Sequence, residues 1–254
     1  MSPTQHPPLP PNIRPALSSD IPRLGLLFVA SFHYSPNTKW YRPYYPRFPE
    51  DMLAQYTAWS INYLEDPQYI TLVATDAFDP SERSKTEAHF PAGVTTCLGE
   101  DVKEGDQVPV AIGIWKVGIE RGREWREAGG KVLEGAQLPP KPETRMRDRD
   151  QGHCDAMLGI EKAARERCGF SRLVELDMLV THPAYWGRKH GTKLVRWGLE
   201  YSRMNKVGQG VVGPPMGMRV YLKEGFVEKE KMTWNGDEIT PEGLAKQIAV
   251  YDLD

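Results

Sequence analysis

The order of apolar and polar positions divides the chain into segments of different period. Asn12-Ile-Arg-Pro-Ala16 reads as a short strand, and Ser18-Ser19-Asp20 offers capping side chains just before Ile21, Leu24, Leu27, Phe28 and Phe32. Those apolar positions recur at helical spacing, which predicts an amphipathic helix after the strand. Between Tyr34 and Phe48 the prolines at 36, 43 and 46 interrupt any longer period, so no regular helix is expected there. Residues 50–64 return to helical spacing. Residues 69–75 and 109–117 are compact strand-like runs, expected to pair as antiparallel neighbours around a long polar loop at about 76–107.

Residues 120–149 are dense in Arg, Glu, Gly and Pro. They predict a solvated insertion at about 119–150, with a substrate-facing lid as the alternative. Residues 151–168 form a helix ended by Gly169. A strand at 172–180, a turn-rich loop at 182–189, a helix at 191–204, a strand at 209–212 and a helix at 216–224 closed by Gly225 follow. Two strands complete the chain. This order implies an α/β fold: one domain over 12–254, with a mixed, mostly antiparallel sheet flanked by helices and two loop insertions. Residues 1–11 are proline-rich and are expected to be a disordered tail, or alternatively a ligand for a proline-binding partner.

Composition narrows the classes of function. The 254 residues carry 32 Lys and Arg against 34 Asp and Glu, a formal net charge of −2. That balance argues against bulk electrostatic binding to nucleic acid or to an anionic membrane. No run approaches the ~20 apolar residues of a membrane-spanning helix. The three cysteines, Cys97, Cys154 and Cys168, lack metal-site spacing, so no metal is expected and the thiols read as reduced. These features suggest a cytoplasmic protein, with a nuclear location also compatible.

The chemistry concentrates in residues 176–191, Leu-Asp-Met-Leu-Val-Thr-His-Pro-Ala-Tyr-Trp-Gly-Arg-Lys-His-Gly. A strand enters a loop that opens directly into a helix. The first turn of a helix leaves backbone N–H groups without partners at the positive end of its dipole, which suits an anion such as a pyrophosphate. Gly187 and Gly191 permit close approach, and Arg188, Lys189 and His190 add donors and positive charge.

Three stretches resemble the GCN5-related N-acetyltransferase family, in particular its fungal members. Asp177-Met-Leu-Val-Thr-His-Pro183 resembles the family's central strand and following turn. Residues 185–191 fall where the family carries its Gln/Arg-x-x-Gly-x-Gly/Ala pyrophosphate loop. Tyr221-Leu-Lys-Glu-Gly-Phe226 resembles its Tyr-x-x-x-Gly-Phe helix end. In the loop, Trp186 stands at the first Gln/Arg position and Lys189 at the middle Gly, while Gly191 matches the last. A lysine there implies either backbone strain, if φ is positive, or an ammonium against the pyrophosphate.

The resemblance implies acetyl-CoA as co-substrate and an amine of a small molecule or peptide as acceptor. Backbone groups of Leu179, Val180 and Thr181 would bind the pantetheine and thioester. Trp186, Gly187, Arg188, Lys189, His190, Gly191 and Thr192 would form the pyrophosphate loop. Tyr221 would protonate the departing thiolate, or else be a core tyrosine. Glu175 and Asp177 alternate with apolar neighbours and so share one strand face, where either is a candidate base or an ion-paired strand carboxylate. His182 reads as a turn residue and His153 as a weaker base candidate. Two other readings stay open: a different reaction on the same scaffold, and a non-catalytic acyl-CoA-binding protein.

Overall fold

The computed structural model describes residues 4–94, 102–130 and 138–253. Among the described residues seven strands form one sheet: β1 (Ile13–Pro15), β2 (Tyr69–Ala77), β3 (Gln107–Lys116), β4 (Val174–Thr181), β5 (Gln209–Gly213), β6 (Val227–Trp234) and β7 (Leu244–Tyr251). Their spatial order is β1-β2-β3-β4-β5-β7-β6. Every neighbouring pair is antiparallel except β4 with β5, which run parallel around a helical crossover. The fold class expected from the sequence is therefore the one observed.

Strand alternation sorts the core into two layers. On one face, Leu72, Ala111, Trp115, Leu176 and Val211 pack with Leu194, Val195, Trp197 and Leu199 of α6 (His190–Met204) and with Met218 and Tyr221 of α7 (Pro215–Lys223). Trp115 is fully buried there. A Cβ added at Gly198 of α6 would lie 2.8 Å from Trp115 Cε2, so only glycine lets the helix approach this ring. On the other face, Val73, Ile112, Ile114 and Val180 pack beneath α1 (Ile21–Phe32) and α3 (Pro49–Glu65). Farther along that face, α2 (Pro36–Tyr41) and α5 (Gln151–Arg167) cover β6 and β7 through Trp40, Met157, Trp234 and Ile248.

Four regions depart from the sequence expectation. The 34–48 segment does contain a helix: α2 opens with Pro36 and stops before Pro43. Proline is compatible with the first turn, where its missing N–H has no helical partner to lose. Residues 4–11, expected as a tail, lie against α6. There Trp197 Nε1 donates to Pro7 O at 3.3 Å, Asn205 Nδ2 donates to Gln5 O at 2.8 Å, and the His6 ring stacks 6.0 Å from Tyr201.

The two expected loops are also tied to the core where they are described. Residues 119–127 form a further helix, α4 (Ile119–Glu127), whose Trp125 packs edge-on against Trp197. Asp148 is fully buried in an ion pair with equally buried Arg42, and Arg147 clasps Asp51 at 2.7 Å. After β2, Glu82 is buried with Arg23 of α1, whose Nη2 donates to its Oε2 at 2.8 Å. Polar residues suggest solvation only until they find buried partners of opposite sign. Cys97 and the stretches 95–101 and 131–137 of the expected loops lie outside the described residues.

Candidate functional site

The site begins at a divergence in the sheet. β5 pairs with β4 over residues 174–176, and no further among the described residues. Beyond Leu176 the register of β4 on β3 shifts, leaving Asp177 as the extra residue of a bulge between Trp115 opposite Leu176 and Ile114 opposite Met178. His182 N donates to Val110 O at 2.9 Å, so Met178, Val180 and His182 turn their backbone groups toward β3. Leu179 and Thr181 therefore turn theirs toward the gap opened by β5. Thr181 O accepts from Ser31 Oγ at 2.9 Å and from Trp186 Nε1 at 2.8 Å, both outside the sheet.

This geometry separates the expected strand residues. Leu179 and Thr181 present main-chain groups to the gap. Val180 does not: its backbone faces β3 and its side chain lies in the core beneath α1 and α3. A family motif read as a continuous run misses this alternation.

The far wall of the gap is the end of β5 and the start of α7. Gly213 ends the strand, and Pro214 and Pro215 lead into the helix without N–H donors. Tyr221 lies on this wall, where a Cβ on Gly213 would sit 3.6 Å from Tyr221 Cε2. Tyr221 is 6 % exposed. Burial raises its phenol well above the ordinary tyrosine value, so it is a proton carrier at neutral pH.

At the open end, the first turn of α6 abuts β4. A Cβ on Gly191 would lie 3.5 Å from Thr181 Oγ1 and 3.7 Å from Leu179 Cδ2. Gly187 has φ of 80° and Lys189 has φ of 66°, so the lysine stands in the left-handed region that favours glycine. Gly187, Arg188 and Lys189 are exposed, and His190 is buried. Asp76, near the end of β2, carries no local sequence signal of a role here. Its Oδ2 accepts from Arg188 Nη1 at 2.9 Å and lies 2.9 Å from His190 Nε2. Burial alone would raise the Asp76 carboxyl, but hydrogen bonds from Arg188, the Ala77 amide and His190 outweigh it and hold it below its ordinary value. Two of the expected loop donors thus have an internal carboxylate partner, which neither residue's local sequence announces.

Trp186 is half exposed, and its ring meets Tyr34 edge-on at 5.1 Å. It bridges the end of α1 and the free edge of β4. Thr192 lies in the first turn of α6 and is partly buried.

The two carboxylates of β4 lie on the α3 and α5 face. Asp177 Oδ2 accepts from Tyr63 Oη at 2.7 Å. Glu175 is 8 % exposed, with Arg165 Nη1 of α5 at 2.9 Å from its Oε1. Burial pushes the Glu175 carboxyl up to about 7; Arg165 and Lys116 oppose that shift, and Asp177 and Glu161 add to it. A buried carboxyl that titrates near neutrality beside a backbone gap is a candidate proton acceptor.

The histidines take other parts. His182 is 2 % exposed, accepts from Ala184 N at 3.2 Å through Nδ1, and is lowered to about 4 by burial. It is a neutral cap of the turn after β4. His153 stacks on Trp40 with ring centroids 4.1 Å apart, and its Nε2 lies 3.2 Å from Asp237 Oδ2. It clasps α5, α2 and the β6–β7 turn together. Among the described residues no group of three or more His, Cys, Asp or Glu is arranged to hold a metal ion, and no helix is long and apolar enough to cross a membrane.

A seven-stranded mixed sheet that parts between its parallel strands, with a bulge at the parting and a helix start across its mouth, is the GCN5-related N-acetyltransferase fold. The chain has that fold. It is 28% identical over 255 residues to a protein of Stachybotrys chartarum named "Acetyltransferase", covering 98% of this chain and 95% of that one. A crystal structure from Corynebacterium glutamicum, of a histone acetyltransferase HPA2 and related acetyltransferase, superposes with a TM-score of 0.51 at 14% identity over 96% of each chain. A GCN5-related N-acetyltransferase structure from Rhodopseudomonas palustris gives a TM-score of 0.46 at 18% identity, over 98% of this chain and 100% of that one. No protein-family model matches the chain.

Proposed function

We propose that the chain is an acetyl-CoA-dependent N-acetyltransferase acting on an amine of a small molecule or peptide. The observation that carries this reading is the unpaired edge of β4: the backbone groups of Leu179 and Thr181 face a gap closed at one end by Asp177 and at the other by the start of α6. These groups fit a long thioester with an anionic end. Strand amides and carbonyls can bind an amide-rich arm as an added strand would. The free N–H groups of residues 190–192 suit phosphate, and Gly191 leaves the space for it. Lys189 adds charge, and Arg188 becomes available when it turns from Asp76 to the ligand.

When bound, acetyl-CoA supplies a thioester carbonyl open to direct attack and a thiolate leaving group. The chain's part is to orient and to move two protons. Leu179 and Thr181 fix the thioester against β4. Glu175 takes the proton of the attacking amine through a bridging water, and Asp177 with Tyr63 fixes the neighbouring wall. As the N–C bond forms and the C–S bond breaks, Tyr221 gives its phenolic proton to the sulfur. Burial keeps that phenol protonated until the thiolate appears.

Thermal unfolding with and without excess acetyl-CoA tests the cofactor reading. A ligand at about a hundred times its dissociation constant stabilises the folded state by ~2.7 kcal/mol. A clear rise in Tm, followed by amine-dependent release of CoA, is the expected outcome. A second reading is favoured by one specific feature: Thr181 O already accepts from Ser31 and Trp186, and Asp76 already engages Arg188 and His190. A site so satisfied suits a member that has lost acetyl-CoA or serves a different reaction. No rise in Tm at millimolar acetyl-CoA would select it.

A further inference from the structure

We propose that Arg165, carried on α5 between β3 and β4, is a positioning residue that sets the protonation state of Glu175 through a ladder of alternating charge. The ladder runs Glu175, Arg165, Glu161, Lys246. Its consequence for catalysis rests on Glu175 being the base; the coupling itself does not.

The geometry is compact. Arg165 Nη1 stands 2.9 Å from Glu175 Oε1, and Arg165 Nη2 stands 3.9 Å from Glu161 Oε2, one helical turn earlier. Glu161 in turn is paired with Lys246 of β7. The guanidinium also lies over the Phe170 ring at 5.7 Å, which limits where it can swing. Glu161 and Glu175 are 9 % and 8 % exposed. The ladder therefore crosses the face of the sheet beneath α5, from the edge of the β4 bulge to β7.

Charged and titratable groups approach Glu175 from every element packed around it. Asp177 comes from β4 itself, Lys116 from β3, Tyr69 from β2, Tyr63 from α3, and Arg165 and Glu161 from α5. A carboxylate taken this far out of water is neutral unless a cation holds it ionised. Lys116 sits across the sheet pair from Glu175 and also favours the anion, but Arg165 makes the ion pair. Glu161 competes for Arg165. By occupying Glu161, Lys246 leaves Arg165 to Glu175. Without Arg165, Glu175 would hold its proton to higher pH and could not accept one from an amine at neutrality.

Carboxyl carbon NMR titration of the full chain, labelled at glutamate, tests the ladder without any acceptor. The Glu175 resonance is assigned by its loss in Glu175→Gln. Arg165→Gln is expected to raise the Glu175 midpoint by about 1 unit or more. Arg165→Lys should return most of that shift, and Lys246→Met should move the midpoint in the same upward direction by less. An unmoved midpoint in folded Arg165→Gln overturns the proposal. If that variant does not fold, an unmoved midpoint in both Arg165→Met and Lys246→Met does the same. The acid limb of kcat/KM against pH, measured with an amine found active, separates the two readings. A limb that follows the midpoint supports both. A midpoint that moves while the limb stays keeps the ladder and removes Glu175 from the role of base.

Discussion

At its start, β4 is paired on both edges and carries a sunken carboxylate; from Met178 onward it is paired with a strand on one edge only, and the main chain of Leu179 and Thr181 faces the gap, with Thr181 O held by Ser31 and Trp186. The two halves are eight residues of one strand, divided by the bulge at Asp177. The first half concentrates side-chain chemistry. Glu175 is buried among Arg165, Lys116 and Asp177, and its charge state depends on all of them. The second half carries almost no side-chain chemistry, and the role proposed for Leu179 and Thr181 runs through their backbone. One half can be altered by changing a charge on the strand itself, the other only through what lines the gap it faces. Mutations should therefore separate proton transfer from cofactor binding.

The largest expected effect is on the first half. Glu175→Gln keeps the shape and removes the proposed base, and should lower kcat/KM by about 100-fold or more near pH 7.5 while leaving the acetyl-CoA thermal shift intact. A normal rate would sink the assignment. The same variant has a signature in stability. The folded carboxyl titrates at about 7 and the free one at 4.5. The group's stabilising contribution is therefore complete below pH 4.5 and is lost as pH rises to about 7. The loss is on the order of 3 kcal/mol at 1.36 kcal/mol per unit. Urea unfolding at pH 5 and pH 8 should show that fall in the parent and a flatter profile in Glu175→Gln.

Gly191→Glu, at the start of α6, attacks the gap that the second half faces. A Cβ there meets Thr181 and Leu179 at ordinary contact distance, so the helix should survive, and an acidic residue in the first turn suits its dipole. The carboxylate would still occupy the phosphate position. Affinity for acetyl-CoA should fall by about 100-fold, which removes ~2.7 kcal/mol of binding, with the unliganded Tm unchanged or slightly raised. Calorimetric titration measures it; unchanged affinity would place the phosphates elsewhere. Tyr221→Phe, on the facing wall, should lower turnover by about 10-fold and leave that affinity nearly unchanged, since it removes one proton donor and no packing. Stopped-flow or steady-state release of CoA distinguishes this from a binding defect.

How much of this was visible in the chain depends on how local the signal is. The strand and helix order could be read because periods of two and three to four residues are written into consecutive positions. Gly191, Lys189 and Tyr221 could be placed because the loop and the Tyr-x-x-x-Gly-Phe end are continuous segments. The residues that were not visible act across the fold. Asp76 reaches Arg188 from 112 positions away, Tyr63 reaches Asp177 from 114, and Ser31 reaches Thr181 from 150. Arg165 is an ordinary exposed-looking arginine on an amphipathic helix until β4 brings Glu175 beneath it. The 138–150 stretch misled for the same reason: its charges suggested solvent, and Arg42 and Asp51 provided buried partners instead.

The smallest expected effect sharpens the comparison at a single dihedral angle. Lys189 holds φ of 66° at the N-cap of α6, a conformation that costs an ordinary L-residue about 1–2 kcal/mol and glycine nothing. Lys189→Gly releases that strain in the folded state, but it also widens the conformations open to the unfolded chain, which offsets part of the gain. The net stabilisation should be on the order of 0.5–1 kcal/mol, visible as a small rise in Tm. The effect on acetyl-CoA decides what the lysine is for. If its ammonium contacts phosphate, Lys189→Gly weakens binding even as the protein becomes more stable, and the loss shrinks at high salt. If the side chain only occupies the position, affinity is unchanged or improves with the relaxed loop. Opposite signs for stability and affinity would show that strain is retained here in exchange for charge at the mouth of the gap.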